Sequence, residues 1–94
     1  MVFAIRQKTR YNKVSELAKL YAEGQKFGSA RDGRIFIEGD TIFSYGHHFP
    51  IARKIDDNTY EFNSNKYSLT TSKQQNEVRR ALIEKGYRIM EKPM

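Results

Sequence analysis

The 94-residue chain has no cysteine, no tryptophan, only two prolines (Pro50 and Pro93) and no long apolar run. Without cysteine there is neither a disulfide framework nor a thiolate metal site to help a small fold over its surface-to-volume handicap, so packing must hold it together alone. The shortage of proline, with no serine-rich or low-complexity tract, argues against a linker, and no internal repeat is present. The apolar stretch before Arg6 is too short for a secretory signal, and no window approaches the roughly 18 apolar residues of a membrane span. A single cytosolic domain over residues 1–94 is the expected organisation, with residues 1–11 as a basic N-terminal strand or arm.

Hydrophobic residues make up only 38 % of the chain, but they include six Phe and six Tyr. Each aromatic ring can remove roughly 150–250 Å² from water, so a few of them compensate for scarce Leu and Val. Seventeen Lys and Arg against eleven Asp and Glu give a net charge of +6, which suits a polyanionic partner. The surplus is uneven. Residues 1–34 hold eight basic and three acidic side chains, residues 35–65 two and five, and residues 66–94 seven and three. Both ends are basic and the middle is acidic.

Asn12 is a good helix cap, and Val14, Leu17, Ala18 and Tyr21 follow at the spacing that lines one helix face. Gly24 supplies the stop, and residues 24–33, rich in Gly, Ser and Asp, read as a loop. From Arg34 the period changes to two. Ile35 and Ile37 alternate up to a Glu-Gly-Asp turn at 38–40, and strands are expected over Thr41 to Tyr45, Phe49 to Ile55, Thr59 to Phe62 and Tyr67 to Leu69. Thr71-Ser72 followed by Gln74-Gln75 resembles a reciprocal cap and predicts a second helix from about residue 72, with Val78, Ala81, Leu82 and, at its margin, Ile83 as its apolar stripe and Gly86 as its end. The predicted fold class is α+β: an N-terminal helix, an antiparallel meander of four or five short strands, a C-terminal helix and a final short strand over Tyr87 to Met90.

Several motifs suggest chemistry and fail on spacing. His47-His48 are adjacent and lack a second well-placed imidazole or thiolate, so no metal is expected. Asp56-Asp57-Asn58 lacks the glycine and distant glutamate of a calcium loop and reads as a turn. Ser44 and Ser68 have no nucleophile-elbow context, and no Gly-rich phosphate loop precedes a helix. Neither an enzyme nor a cofactor is expected. Tyr45, Tyr60, Phe62 and Tyr67 lie on the meander, where core packing is the simpler use than base stacking. The best contact surface is the polar side of the second helix, carrying Lys73, Asn76 and Arg80 with Arg79 on its flank; a merely solvated mixed-charge face is the plain alternative. Arg6, Lys8 and Arg10, at alternating positions, would form a basic stripe on an extended segment.

The segments Phe43-Ser-Tyr-Gly-His-His-Phe-Pro-Ile-Ala52 and Tyr67-Ser-Leu-Thr-Thr-Ser-Lys-Gln-Gln-Asn-Glu-Val-Arg-Arg-Ala-Leu82 resemble a small uncharacterised domain carried by bacteriophage and other prokaryotic viral or mobile-element proteins. That group combines a Ser-Tyr-Gly turn, a Pro-Ile-Ala strand and a Tyr-Ser/Thr-Thr-Ser segment leading into a helix, often with His where Gln74 or Gln75 stands here. The resemblance covers roughly residues 41–82. It implies a viral accessory protein acting in the cytoplasm of a prokaryotic host, and it carries over no catalytic residue.

The expected function is nucleic-acid binding, with duplex DNA preferred. Arg6, Lys8, Arg10, Lys73, Arg79 and Arg80 would contact phosphates, and Gln75 or Asn76 would reach base edges. The second reading is a protein-binding inhibitor of a host defence or transcription complex. A homodimer through open sheet edges stays open.

Overall fold

The computed structural model describes residues 10–11, 13–31, 33–44, 49–66 and 68–94, with side chains from Lys13 onward. Arg6, Lys8, Asn12, Tyr45, His47, His48, Tyr67 and the Arg10 side chain lie outside the described residues. The elements run β1 (Arg10–Tyr11), α1 (Val14–Ala22), β2 (Phe27–Ala30), β3 (Ile35–Glu38), β4 (Thr41–Ser44), β5 (Phe49–Asp56), β6 (Thr59–Asn63), α2 (Leu69–Glu84) and β7 (Arg88–Lys92).

The fold is α+β, with one mixed sheet whose strands lie in sequence order. Strands β2 to β6 form an antiparallel meander. At its edges β1 pairs parallel with β2 and β7 pairs parallel with β6. Parallel neighbours cannot be joined by a hairpin, and each pair is therefore bridged by a helix: α1 between β1 and β2, α2 between β6 and β7.

Alternation sorts the strand residues between faces. Ile35, Ile37, Ile42, Ala52, Tyr60 and Phe62 are buried with Leu17, Ala18 and Tyr21 of α1 and Val78, Ala81 and Leu82 of α2. Burying each large aliphatic or aromatic side chain contributes about 1.5–3 kcal/mol, set against the entropy of ordering it. The Tyr21 hydroxyl donates to the Asp40 and Ala52 carbonyls at 2.7 and 3.1 Å, and its ring meets Tyr60 edge-on at 5.5 Å. Burial pushes the Tyr21 hydroxyl pKa well above the ordinary tyrosine value. On the other face Phe36 and Phe43 stack at 5.2 Å, and Glu61 accepts bonds from Arg53 and, at 3.0 Å, from Lys92 of β7.

Five expectations change. Residues 27–30 are a strand rather than loop, because its backbone pairs along β3 in register Phe27↔Glu38 to Ala30↔Ile35, which needs no apolar alternation. Lys13 rather than Asn12 occupies the cap position of α1, and its side chain caps nothing. Helix α2 starts at Leu69 behind its cap Ser68, so neither residue belongs to the strand expected over Tyr67 to Leu69, whose first residue lies outside the described residues. Its cap is Ser68, whose Oγ accepts from the Thr71 amide at 3.1 Å, while Thr71, Gln74 and Gln75 turn inward and are buried. Ile83, a marginal member of the expected apolar stripe, is 58 % exposed. The glycine stops at Gly24 and Gly86 stand, with φ of +97° and +84° that a residue without a β-carbon adopts without strain.

Candidate polyanion-binding cleft

The alternation from β2 to β6 leaves those two strands running the same way, so both crossover helices run the opposite way, side by side. Their N-termini therefore open at one end of the molecule, beyond the carboxyl ends of β1, β2, β4 and β6. A cleft of about 410 Å³ lies there, within the size range of small-ligand sites. Lys13, Val14 and Ser15 at the start of α1 form one wall. Thr70, Lys73, Gln74 and Glu77 on the first two turns of α2 form the other, and Arg31, just past β2, closes the side.

A polar network builds the α2 wall. Ser44, at the end of β4, donates to Gln74 Oε1 at 2.5 Å and lies 3.3 Å from Thr71 Oγ1. Ser68 donates to Thr71 Oγ1 at 3.1 Å. Gln75 Nε2 donates to the Asn63 and Asn65 carbonyls at 2.8 and 3.0 Å, and Asn63 in turn donates to the Pro50 carbonyl at 2.8 Å. Each bond satisfies a backbone or hydroxyl group that would otherwise be buried unpaired. Together they lock the first turns of α2 onto the strand ends.

The cleft is cationic. Lys13, Arg31 and Lys73 are exposed, and none is held by a carboxylate among the described residues. Glu77 is the acidic member of the lining, and it accepts from Arg80 at 3.4 Å. Arg31 has φ of +55° in the tight β2–β3 turn, a left-handed conformation that costs a non-glycine residue energy.

The sequence candidates separate in the structure. Lys73 lines the cleft. Asn76 and Arg80 are exposed on α2, Asn76 accepting from Arg79 at 3.2 Å. Arg79 points the other way: its guanidinium lies 4.4 Å from the centre of the Phe62 ring and bonds Glu91 of β7 at 3.0 Å. Gln75 is 6 % exposed and its amide nitrogen is consumed by two carbonyls, so it leaves the set that could read a base edge. The backbone of Arg10 pairs with that of Ser29, two residues before Arg31. Tyr60 and Phe62 are core residues, about 1 % and 0 % exposed. Sequence reasoning missed Arg31, Ser15 and Gln74 as lining residues; the one available signal was an arginine two residues before Gly33 in an expected loop.

The Asp56-Asn58 segment is a turn, with the Asn58 amide bonded to Asp56 Oδ1 at 2.9 Å; that bond holds the Asp56 carboxyl below its usual range. No group of three potential metal ligands occurs among the described residues, and no helix there is long and apolar enough to cross a membrane. Comparison with known proteins gives no matching family model, curated protein or solved structure.

Proposed function

We propose that the protein is a non-enzymatic accessory protein that binds nucleic acid, duplex DNA foremost, through the cleft between the N-terminal ends of α1 and α2. The observation that carries this reading is the meeting of Lys13 from one basic end of the chain and Lys73 from the other in a single cleft that Arg31 also lines, with no carboxylate on any of the three among the described residues. Unpaired cations can exchange condensed counterions for phosphates without first breaking an ion pair. Parallel helix N-termini add partial positive charge at the same place. Arg79, stacked and paired, contributes structure to this reading rather than contact. The viral or mobile-element setting in a prokaryotic cytoplasm rests on the resemblance of residues 43–52 and 67–82.

A mobility shift over a salt series tests the reading. Each phosphate contact contributes about 0.9 to the log–log slope, so the variant Lys13→Ala/Arg31→Ala/Lys73→Ala is expected to lose roughly two to three from the wild-type slope. Absence of wild-type binding to both random duplex and single-stranded DNA at low salt refutes it. A second reading, the protein-binding inhibitor, is favoured by Leu69 and Ile83, which are 85 % and 58 % exposed on α2 and gain nothing from a phosphate backbone. A partner captured from nuclease-treated host lysate and lost on Leu69→Ser/Ile83→Ser would support it.

A further inference from the structure

Within that cleft the donors are arranged more narrowly than general attraction to a polyanion requires. Gln74 is 3 % exposed and lines the cleft. Its Oε1 accepts from the Ser44 hydroxyl at 2.5 Å, and Ser44 is itself within 3.3 Å of Thr71 Oγ1, so the carboxamide is held by its oxygen end. Its Nε2 has no hydrogen-bond partner among the described residues and is not sealed from solvent. A nearly buried side chain held by one end, with its donor end unused, is a group shaped for an acceptor that is not part of the chain.

The facing wall has the same property. Helix α1 begins at Val14 behind an extended Lys13 that provides no side-chain cap, whereas α2 has the Ser68 cap. The first-turn amides of α1 are thus left for an external acceptor, and Lys is among the residues least suited to supply one. Lys13, Arg31 and Lys73 add charged donors from three directions. Among the described residues the lining contributes one carboxylate, Glu77, already bonded to Arg80.

We infer that this end of the cleft is a phosphate subsite, in which one phosphate accepts from Gln74 Nε2 and the first-turn amides of α1 and is neutralised by Lys13, Arg31 and Lys73. Donors converging from both helices and the β2–β3 turn match a tetrahedral group with three or more acceptor oxygens better than a planar carboxylate with two. Identifying the phosphate as one of a nucleic acid rests on the function proposed above; the subsite itself does not.

Amide-resolved NMR titration with inorganic phosphate at constant ionic strength is the test, alongside binding of matched oligonucleotides with 5′-phosphate or 5′-hydroxyl ends. Saturable shifts confined to the Val14 and Ser15 amides and the Gln74 carboxamide, weakened at least tenfold in both Lys73→Ala and Arg31→Gly, support the subsite. Arg31→Gly suits the positive φ, and Lys73 is exposed, so both variants keep the fold where Gln74→Leu, which also strands Ser44, need not. A preference for the 5′-phosphorylated oligonucleotide assigns the group to a strand end, and equal affinity assigns it to the internal backbone. Shifts spread equally over Lys66, Lys85 and Arg88, or reproduced by acetate, overturn the inference. Localised phosphate binding without oligonucleotide binding leaves the subsite standing and removes the nucleic-acid reading; oligonucleotide binding that is unchanged in both variants, with no localised phosphate shift, does the reverse.

Discussion

Helix α2 has two flanks that use similar residues for opposite purposes. Towards β7, Arg79 lies over Phe62 and bonds Glu91, and Gln75 is spent on the carbonyls of Asn63 and Asn65. Towards α1, Lys73 stands without a carboxylate and Gln74 keeps its amide nitrogen unbonded. A cation and an amide occur on each flank, one residue type apart or identical. What separates them is whether the neighbouring strand supplies acceptors. Strand β6 ends beside Gln75 and β7 brings Glu91, whereas the α1 flank faces a helix N-terminus, which offers only donors. Charge on the β7 flank is therefore consumed in folding, and charge on the α1 flank is left unpaired among the described residues.

Asn63→Ala should break the β7 flank most severely. Asn63 is 1 % exposed, donates to the Pro50 carbonyl, and accepts from the Asn65 and Met94 amides through Oδ1. Removing it strands three backbone groups, and a loss of about 2–3 kcal/mol in denaturant unfolding is expected. Arg79→Ala should cost less, about 1–2 kcal/mol, because the stacking over Phe62 is partly exposed and its ion pair with Glu91 is screened. If that substitution leaves stability unchanged while abolishing DNA binding, the division between the flanks is wrong.

Acid should weaken the β7 side selectively. Hydrogen bonds from Lys92 and Arg53 hold the Glu61 carboxyl below the usual glutamate range. A carboxyl with a lowered folded-state pKa contributes stability above its unfolded value, and that contribution is lost as pH falls through the folded one. Hydrogen exchange should show β7 amides losing protection as pH drops below the usual glutamate range, before the α1–α2 contact opens.

The flanks were unequally legible in the sequence. Strands β3 to β6 were readable because Ile35, Ile37, Ile42 and Phe62 alternate or cluster between Gly and Asn turns. Strand β2 was hidden by Gly28 and Ser29, whose contribution is backbone pairing, a non-local property that periodicity does not report. The start of α2 was misplaced because Thr71 and Gln74 look like a local cap, whereas Ser44, 27 and 30 residues away, takes both side chains into a buried network. The same non-locality moved Gln75 from a presumed contact face into the core. Lys73 was picked out by its helical position. Its meeting with Lys13 and Arg31 depends on both crossovers running the same way, which follows only once β1 and β7 are known to pair parallel.

The sharpest test of the comparison is also the gentlest to the fold. Glu77 sits on the α1 flank and pairs with Arg80 at 3.4 Å, an exposed i,i+3 contact, so Glu77→Gln should change stability by no more than about 0.5 kcal/mol. It removes the one carboxylate that lines the cleft among the described residues and releases Arg80 to follow a phosphate. Affinity for duplex DNA should rise at low salt, and the log–log salt slope should steepen by up to about 0.9, the share of one added contact. Glu91→Gln on the other flank removes the same charge but frees an arginine already committed to Phe62, and it should leave the slope where it was. Equal steepening in the two variants would mean that net charge, and not the placement of unpaired cations beside α1, governs the interaction.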